Sequence, residues 1–306
     1  MLEDFDLGMK IGITGASGFV GSAIVAEATE RGWTVVAFSR SPEKEIEGVE
    51  EVRSFSDLEN LDVSGLDSIL HLAGEPIVGM WTKEKKRKIR SSRIESTEAL
   101  VKAITAIPRS RRPQSFICAS AIGYYGDGED QWLDEDADVG FGFLSEVCRD
   151  WEAEAEKVSK LGVRLAVPRL GIVFGKEGFL KKLRPVFRAG LGGKLGSGEQ
   201  WMSWIHVEDL ARIFLLCVEN PDIKGKVNAV SPEPVKNREF TSVYAEKLNR
   251  KAIFPVPKFV LKRFPGGMSS LFLDSQRVDP VLLKAFEFEW KHPSLSDALD
   301  AVESKS

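Results

Sequence analysis

Residues 10–25 read KIGITGASGFVGSAIV, with three glycines, Gly15, Gly18 and Gly21, directly after a short apolar run. A helical pattern begins at once behind them. In a strand–turn–helix unit, such glycines permit a tight turn with positive φ, a close approach of backbone N–H groups to a pyrophosphate, and close helix packing. The positive end of the helix dipole also favours an anion. The stretch predicts a dinucleotide-binding turn, with a ligand-free glycine turn as the alternative.

The alternation of β-rich and helical patterns over residues 9–230 is typical of a parallel sheet with helices on both faces. Residues 231–306 are richer in proline and predict a small, mostly helical lobe. We therefore expect an α/β fold, a Rossmann-like doubly wound parallel sheet, with a C-terminal substrate lobe and a glycine-rich lid at about 176–204. Predicted strands are residues 10–14, 34–39, 68–72, 115–119, 164–168 and 226–229, and predicted helices are residues 20–31, 92–105, 144–161 and 207–219.

The composition limits the classes of protein. A chain of 306 residues with 43% hydrophobic content can bury a sizeable core, and a net charge of −4 argues against a nucleic-acid binder. Three separated cysteines predict neither disulfides nor a metal site, and no apolar run reaches the ~20 residues that span a bilayer. We expect a cytoplasmic monomer or homodimer that acts on a small molecule and binds no metal. The charged runs at residues 83–90 and 152–157 are interpreted as solvated helix faces.

The end of the second predicted strand indicates which dinucleotide is bound. The strand TVVAFSR ends in Ser39 and Arg40, where a fold that prefers NAD usually carries an acidic residue for the ribose hydroxyls. An arginine at this position can hold the adenosine 2′-phosphate through two hydrogen bonds. The sequence therefore predicts NADP(H), with a solvated surface arginine as the alternative. The third strand ends in HLAG, residues 71–74, and His71 is expected to pack within the sheet.

A family resemblance follows from the order of the motifs. GASGFVG, SR, HLAGE, SAIGYYG, PRLGIVFG and SWIHVEDLA together resemble the extended short-chain dehydrogenase/reductases. They look most like an atypical epimerase-like group, sometimes labelled SulA-like cell-division inhibitors, whose members end in a short domain of unknown function. The likeness runs from about residue 9 to residue 299.

The resemblance also implies a set of cofactor contacts. The pyrophosphate would lie on the glycine turn, the 2′-phosphate at the second strand, and the ribose and nicotinamide beyond the third. The implied residues are Gly15, Ser17, Gly18, Phe19, Val20 and Gly21 in the turn, Ser39 and Arg40, Leu72, Ala73, Gly74 and Glu75, and, as further contacts, Arg93 and Val173.

The catalytic pattern of the superfamily is broken in this chain. Ordinary members use a tyrosine whose pKa is lowered by a lysine one helical turn later. The chain has three tyrosines, and the residues four positions beyond them are Gly128, Glu129 and Leu248. The helix expected to carry the pair offers Phe143 with Val147, or Leu144 with Cys148, instead. Orthodox chemistry is therefore not expected.

The partner serine of the superfamily is displaced as well. Alignment on GYYG puts Ala121 in its place, while Ser120 stands one residue earlier and would point to the other side of a strand. Ser120, Tyr124 and Glu75 are the catalytic candidates. Two of them have alternative roles: packing for Tyr124 and ribose binding for Glu75.

Two neighbouring features extend these hypotheses. Tyr125 and His206 are further acid candidates, with packing and a hydrogen bond at a helix start as their alternatives. The glycine-rich residues 190–204 carry Trp201 and Trp204 and suit a mobile aromatic lid, or a plain surface connection.

Three functions fit these observations. The first is an NADP(H)-dependent oxidoreductase or epimerase-like enzyme that uses an unorthodox acid. The second is a catalytically silent, cofactor-bound regulator or scaffold, with a role in cell division suggested by the family label. The third, a nucleotide-sugar epimerase, is disfavoured by Arg40 and by the missing tyrosine–lysine pair.

Overall fold

The computed structural model describes residues 8–263 and 265–304. The strands, in chain order, are β1 Lys10–Thr14, β2 Thr34–Ser39, β3 Glu51–Ser54, β4 Ser68–His71, β5 Ser115–Cys118, β6 Ser120–Ala121, β7 Trp132–Leu133, β8 Arg164–Leu170, β9 Ile172–Phe174, β10 Trp201–Met202, β11 Trp204–His206, β12 Gly225–Ala229, β13 Val235–Lys236 and β14 Arg277–Val278. The α-helices are α1 Phe19–Glu30, α2 Lys83–Ala106, α3 Phe143–Ala155, α4 Gly178–Arg188, α5 Val207–Glu219, α6 Asn237–Lys247, α7 Lys258–Leu261, α8 Ser270–Leu273, α9 Val281–Ala285 and α10 Leu295–Glu303.

The central sheet is parallel and has the order β3-β2-β1-β4-β5-β8-β12, with the short β6 paired to β8. The order reverses direction between β1 and β4. Right-handed crossovers on the two sides of that point place their helices on opposite faces. Accordingly α1 packs against α5, whereas α2 packs against α3. The carboxyl ends of β1 and β4 therefore form the crevice where open α/β sheets bind ligands, and the predicted doubly wound fold is confirmed.

The central strands of the sheet are buried on both faces, as expected from their near-continuous apolar runs. Ile11 and Ile13 in β1 and Ile69 and Leu70 in β4 are fully buried. Helix α5 contributes an apolar face to the same core, including the fully buried Phe214. This packing fixes the sheet edge on which the candidate site is built.

Two predicted helices and one edge strand show where the structure departs from the prediction. Helix α2 begins at Lys83 rather than at residue 92, because Thr82 caps it by accepting a hydrogen bond from the Lys85 amide. The strand β3 was not predicted, because it is a half-exposed edge strand rich in charged residues. Helix α3 ends at Ala155, and residues 156–161 continue as a 3-10 helix.

The C-terminal part packs on the segment that follows the sheet. Helices α6 and α10 contact each other, while the short strands β13 and β14 pair with β10 and β7. A second apolar core joins these elements through residues such as Phe174, Trp204, Phe240, Tyr244 and Leu299. Within the described residues, no helix combines the length and the apolar character needed to cross a membrane.

Candidate functional site at the carboxyl edge of the sheet

The glycine turn between β1 and α1 leaves no room for a side chain at Gly21 and little at Gly15. Gly15 adopts φ +75°, and its carbonyl accepts the Gly18 amide at 2.9 Å. A Cβ on Gly21 would lie 2.1 Å from the Gly15 oxygen, and one on Gly15 would lie 3.3 Å from the Ala73 nitrogen. The cap residue Gly18 makes no side-chain bond to the first turn of α1. The turn therefore offers backbone N–H groups at a positive helix end, and it fits a dinucleotide pyrophosphate.

Thr14 joins the ends of β1 and β4 beneath this turn. Its hydroxyl oxygen accepts the backbone N–H groups of Leu72 and Ala73, each at 3.0 Å. The same oxygen lies 2.7 Å from His71 Nδ1. Since both lone pairs are taken by the amides, the hydroxyl proton is donated to His71. Residues 72–74 are thereby held against the glycine turn.

His71 is the neutral centre of this buried chain of hydrogen bonds. Its Nε2 lies 3.1 Å from the Ser96 hydroxyl, which itself donates to the Ser92 carbonyl at 2.7 Å. Nε2 therefore carries the proton and Nδ1 is the acceptor. Complete burial, together with the charge of Arg93, lowers the pKa of His71 to about 3. The ring packs within the sheet, as the sequence predicts.

The predicted phosphate residues lie at the neighbouring strand end. Ser39 ends β2, its hydroxyl accepts the Ser41 amide at 3.1 Å, and Arg40 follows with an exposed side chain. On the other side of β1, Glu75 forms an ion pair with Lys85 at 2.6 Å. The hydrogen bond from Lys85 lowers the pKa of Glu75, and the charges of Lys88 and Arg40 act in the same direction. The edge is thus cationic, and Glu75 is ionised at neutral pH.

Arg93 connects the loop after β4 to helix α2 through hydrogen bonds. Its guanidinium donates to the carbonyls of Glu75 and Ile89, both at 3.0 Å. A Cβ on Gly74 would approach the same guanidinium to 3.0 Å. The group therefore shapes the backbone of residues 73–75, next to the implied ribose position.

The last implied cofactor contacts lie on the far side of the glycine turn. Val173 is half-buried in β9, where it pairs with Ile205 of β11. The ring of Phe19 packs against the chain at Gly175 and Gly178, since a Cβ there would lie 2.5 Å and 3.0 Å from it. The start of α1 and the segment after β9 are therefore in direct contact. Ser17 is exposed in the turn, and Val20 is half-buried.

Ser120 lies in a buried ionic network. Its hydroxyl donates to the Glu152 carboxylate at 2.6 Å. Ser120 as a whole is only 3% exposed. The same carboxylate receives two hydrogen bonds from Arg169, at 2.9 and 2.7 Å. Arg169 is fully buried, so removing either residue of this ion pair would leave the charge of the other without its partner. The interpretation of residues 152–157 as a solvated face is wrong at Glu152, which faces β8.

The two adjacent tyrosines join the same network. Tyr125 receives a hydrogen bond from Arg169 at 2.9 Å and donates to the Asn228 side chain at 2.6 Å. Burial raises the pKa of Tyr125 to about 12, against the opposing charge of Arg169. The ring of Tyr124 lies 3.5 Å from the Arg169 guanidinium and lines a groove between α3 and α9. Tyr125 therefore stays protonated at neutral pH.

The start of α3 carries apolar groups where the superfamily has its acid. The ring of Phe143 packs on Trp81 at 5.2 Å, and Val147 is buried in the same cluster. Burial raises the pKa of the neighbouring Cys148 to about 11. These positions provide no group that titrates near neutral pH.

The remaining candidates have structural surroundings. His206 is buried at the start of α5, where its Nδ1 accepts the Glu208 amide at 3.3 Å. Trp204 is fully buried and stacks on Phe174 at 5.2 Å, so it belongs to the core rather than to a lid surface. Trp201 is half-buried and donates to Asp130 at 2.7 Å. An aromatic lid over residues 190–204 is therefore wrong for Trp204.

Sequence reasoning missed the hydrogen bonds of Thr14 and the pairing of Glu152 with Arg169; residues 169–173 are implied by the resemblance only as a backbone contact of the nicotinamide. Thr14 ends a predicted strand directly before Gly15, and this position could have indicated that its hydroxyl contacts the neighbouring strand end. The pairing of Glu152 with Arg169 has no local signal, because it joins a helix to a strand 17 residues away.

Comparison with family models and known proteins agrees with this geometry. Residues 11–230 match the NAD dependent epimerase/dehydratase family, and residues 256–302 match a domain of unknown function, DUF1731. A chloroplastic protein of Arabidopsis thaliana, described as an epimerase family protein SDR39U1 homolog, is 37% identical over 96% of this chain and 86% of its own. The epimerase family protein YfhF of Bacillus subtilis is 33% identical over 96% of this chain and 98% of its own.

A solved structure has the same overall arrangement. The crystal structure of human epimerase family protein SDR39U1 (isoform 2), described as being with NADPH, has a TM-score of 0.88 and 30% identity. The match covers 97% of this chain and 100% of the human chain. The predicted epimerase-like family and its C-terminal domain of unknown function are confirmed, while the cell-division label has no support in these matches.

Proposed function

Because the chain belongs to the NAD dependent epimerase/dehydratase family, we propose that it binds NADP(H) and is an oxidoreductase or epimerase-like enzyme for a small molecule. The observation that carries the choice of cofactor is Arg40, exposed directly after β2, where Ser39 stands in place of an acidic residue. The 2′-phosphate would meet the Arg40 guanidinium, and a nearby carboxylate would repel it. The NADPH of the similar human structure supports the same assignment.

The chain's own residues would bind and orient the dinucleotide. The amides of the glycine turn and of the first turn of α1 would hold the pyrophosphate. Thr14 and Arg93 would keep residues 72–75 in place beside the ribose. When bound, the nicotinamide would supply or accept a hydride.

The source of the proton separates this protein from ordinary members of the superfamily. The tyrosine–lysine pair is absent from the sequence, and the start of α3 is apolar. Glu75 is ionised, Tyr125 stays protonated, and the Ser120 hydroxyl is bound to Glu152. Turnover would therefore use an acid other than a tyrosine tuned by a lysine, with Tyr124 at the groove between α3 and α9 as the remaining candidate.

A second function, a cofactor-bound protein without turnover, is favoured by one observation. The hydroxyl that remains nearest to the superfamily's serine position, that of Ser120, is buried in a hydrogen bond to Glu152. Such a protein would report the NADP(H) state to a partner. We place either form in the cytoplasm, in line with three free and buried cysteines.

The test combines binding with turnover. NADPH binding is followed by the change in its fluorescence, and NADPH oxidation is followed across a panel of carbonyl and enone compounds. The proposal predicts binding of NADPH over NADH and oxidation with at least one compound class. Binding without oxidation across the panel would exclude an oxidoreductase for these compounds and favour the second function over it. Absence of NADPH binding would overturn both.

A further inference from the structure

Two of the three histidines in the chain lie together at the start of α5. The rings of His206 and His292 have centroids 3.9 Å apart. His292 Nε2 lies 3.1 Å from a carboxylate oxygen of Glu208. Glu208 and His292 are 84 residues apart in sequence, so the fold rather than the local chain brings them together.

The three side chains present a converging set of metal ligands. One ligand atom from each of His206, Glu208 and His292 lies within 4.8 Å of the other two. Ligands bound at about 2.0–2.1 Å around a tetrahedral zinc ion lie roughly 3.4 Å from one another. The contact between Glu208 and His292 already meets that separation, and small side-chain rotations would bring in the third ligand. We propose that His206, Glu208 and His292 form a binding site for a zinc-class divalent ion.

The backbone that carries His292 is already positioned for such a site. The buried carboxylate of Asp209 accepts the Lys291 amide at 2.6 Å and the His292 amide at 2.9 Å. His206 and Glu208 are fixed by the first turn of α5. The start of α5 and the segment with His292 are thus held together by groups that do not bind the metal. Little ordering of the backbone would be needed on binding.

The donor types favour zinc over calcium or magnesium. Two imidazoles and one carboxylate suit a borderline transition ion, whereas hard cations take oxygen ligands. Two histidines with a glutamate leave one tetrahedral position for water. The side chain of Lys291, with its Nζ 3.1 Å from the Glu208 carboxylate, is 61% exposed and is free to turn into solvent when a cation arrives.

The position of the site suggests what the ion does. His206 ends β11, and His292 lies in the segment just before α10. A bound ion would link β11 and α5, within the nucleotide-binding part, to the C-terminal part. We infer a structural link that stabilises this junction, with no step in the reaction.

The test uses Zn²⁺ itself on the full chain, after removal of any affinity tag and treatment with a chelator. Competition against a chromophoric chelator should show one bound equivalent for the wild-type protein. His292→Ala and Glu208→Gln should weaken binding by about 10-fold or more. Lys291→Ala removes a neighbouring charged side chain and no ligand, so it should keep or improve the affinity. Zinc should also raise the melting temperature of the wild-type protein and not that of His292→Ala.

Two outcomes would overturn the site. One is that the folded wild-type protein binds no stoichiometric equivalent of Zn²⁺. The other is that His292→Ala binds Zn²⁺ with the same affinity as the wild-type protein. Far-UV circular dichroism checks that each variant is folded, and His292→Gln provides a second variant that keeps a hydrogen-bonding side chain. NADPH binding, measured in the same samples, should be unchanged by His292→Ala, so that this test stands apart from that of the cofactor.

Discussion

The two halves of the sheet's carboxyl edge use their polar groups in opposite ways. Around β1, β2 and β4, the turn presents backbone N–H groups, and Arg40 is exposed to solvent. Around β5, β6 and β8, the polar side chains bind one another, as Ser120, Glu152 and Arg169 do. One half is arranged to receive an anion. In the other half, the polar side chains already have hydrogen-bond partners within the protein.

This difference separates cofactor binding from chemistry. A cradle made of backbone groups and an exposed arginine gains hydrogen bonds when a dinucleotide arrives. A closed network gains nothing from a substrate, and breaking it would leave buried charges unpaired. We therefore propose that these groups hold NADP(H), whereas the chain lacks the tyrosine–lysine pair that usually transfers the proton.

The largest expected effect comes from opening the closed half. Arg169→Met removes the partner of Glu152, which is 12% exposed in its side chain, and leaves a buried carboxylate unpaired. The free energy of unfolding should fall by about 3–5 kcal/mol. Urea denaturation measures this. The matched control is Arg149→Met, because the Arg149 side chain is 55% exposed, and its effect should stay within about 0.5 kcal/mol. A loss below about 1 kcal/mol for Arg169→Met would contradict the closed network.

A smaller effect should appear beneath the cofactor half when the pH falls. The folded protein keeps His71 neutral, with a pKa of about 3, while the unfolded chain protonates this histidine near pH 6.5. The stabilising contribution is therefore present above pH 6.5 and is lost as the pH falls toward 3. Between pH 7 and pH 5 this should cost about 2 kcal/mol of unfolding free energy.

The measurement for His71 is a difference between two proteins. Urea denaturation at pH 7 and pH 5 is compared for the wild-type protein and His71→Gln. The variant is expected to be less stable at pH 7 because its hydrogen bonds to Thr14 and Ser96 are altered, yet its stability should fall less with pH. Parallel pH profiles for the two proteins would rule out a neutral buried His71.

The smallest effect is expected at Ser120. Ser120→Ala removes one hydrogen bond to Glu152, which keeps both bonds from Arg169, so the loss should be about 1 kcal/mol. NADPH oxidation with any compound that proves active should change less than about twofold. A serine that polarised the substrate would instead lower turnover by about 100-fold or more. Steady-state kinetics on the folded variant distinguishes the two.

Much of the fold could be predicted because its signals are local. The strands at residues 10–14 and 34–39 and the helix at 207–219 have the predicted bounds, since their apolar patterns reflect burial within one element. Strand β3 was missed because an edge strand needs no apolar alternation. The start of α2 was missed because its first turns are charged and bury only Ile89, so they show no apolar periodicity.

The candidate site divides in the same way. The glycine turn and the packing of His71 within the sheet were predicted, because a turn and the end of a strand can be recognised from adjacent residues. The pairing of Glu152 with Arg169 was not, because it depends on how a helix face meets a strand of the sheet. The meeting of His206 with His292 was also hidden, since it arises from the docking of the C-terminal part.

The most direct test of the central claim is the affinity for NADPH and NADH of the wild-type protein and of Arg40→Ser, measured by isothermal titration calorimetry. The wild-type protein should prefer NADPH. Arg40→Ser should weaken NADPH binding by roughly 10- to 100-fold, the value of a charge-assisted hydrogen bond, and leave NADH binding within about twofold. Unaltered NADPH affinity in Arg40→Ser, or a wild-type preference for NADH, would contradict the account.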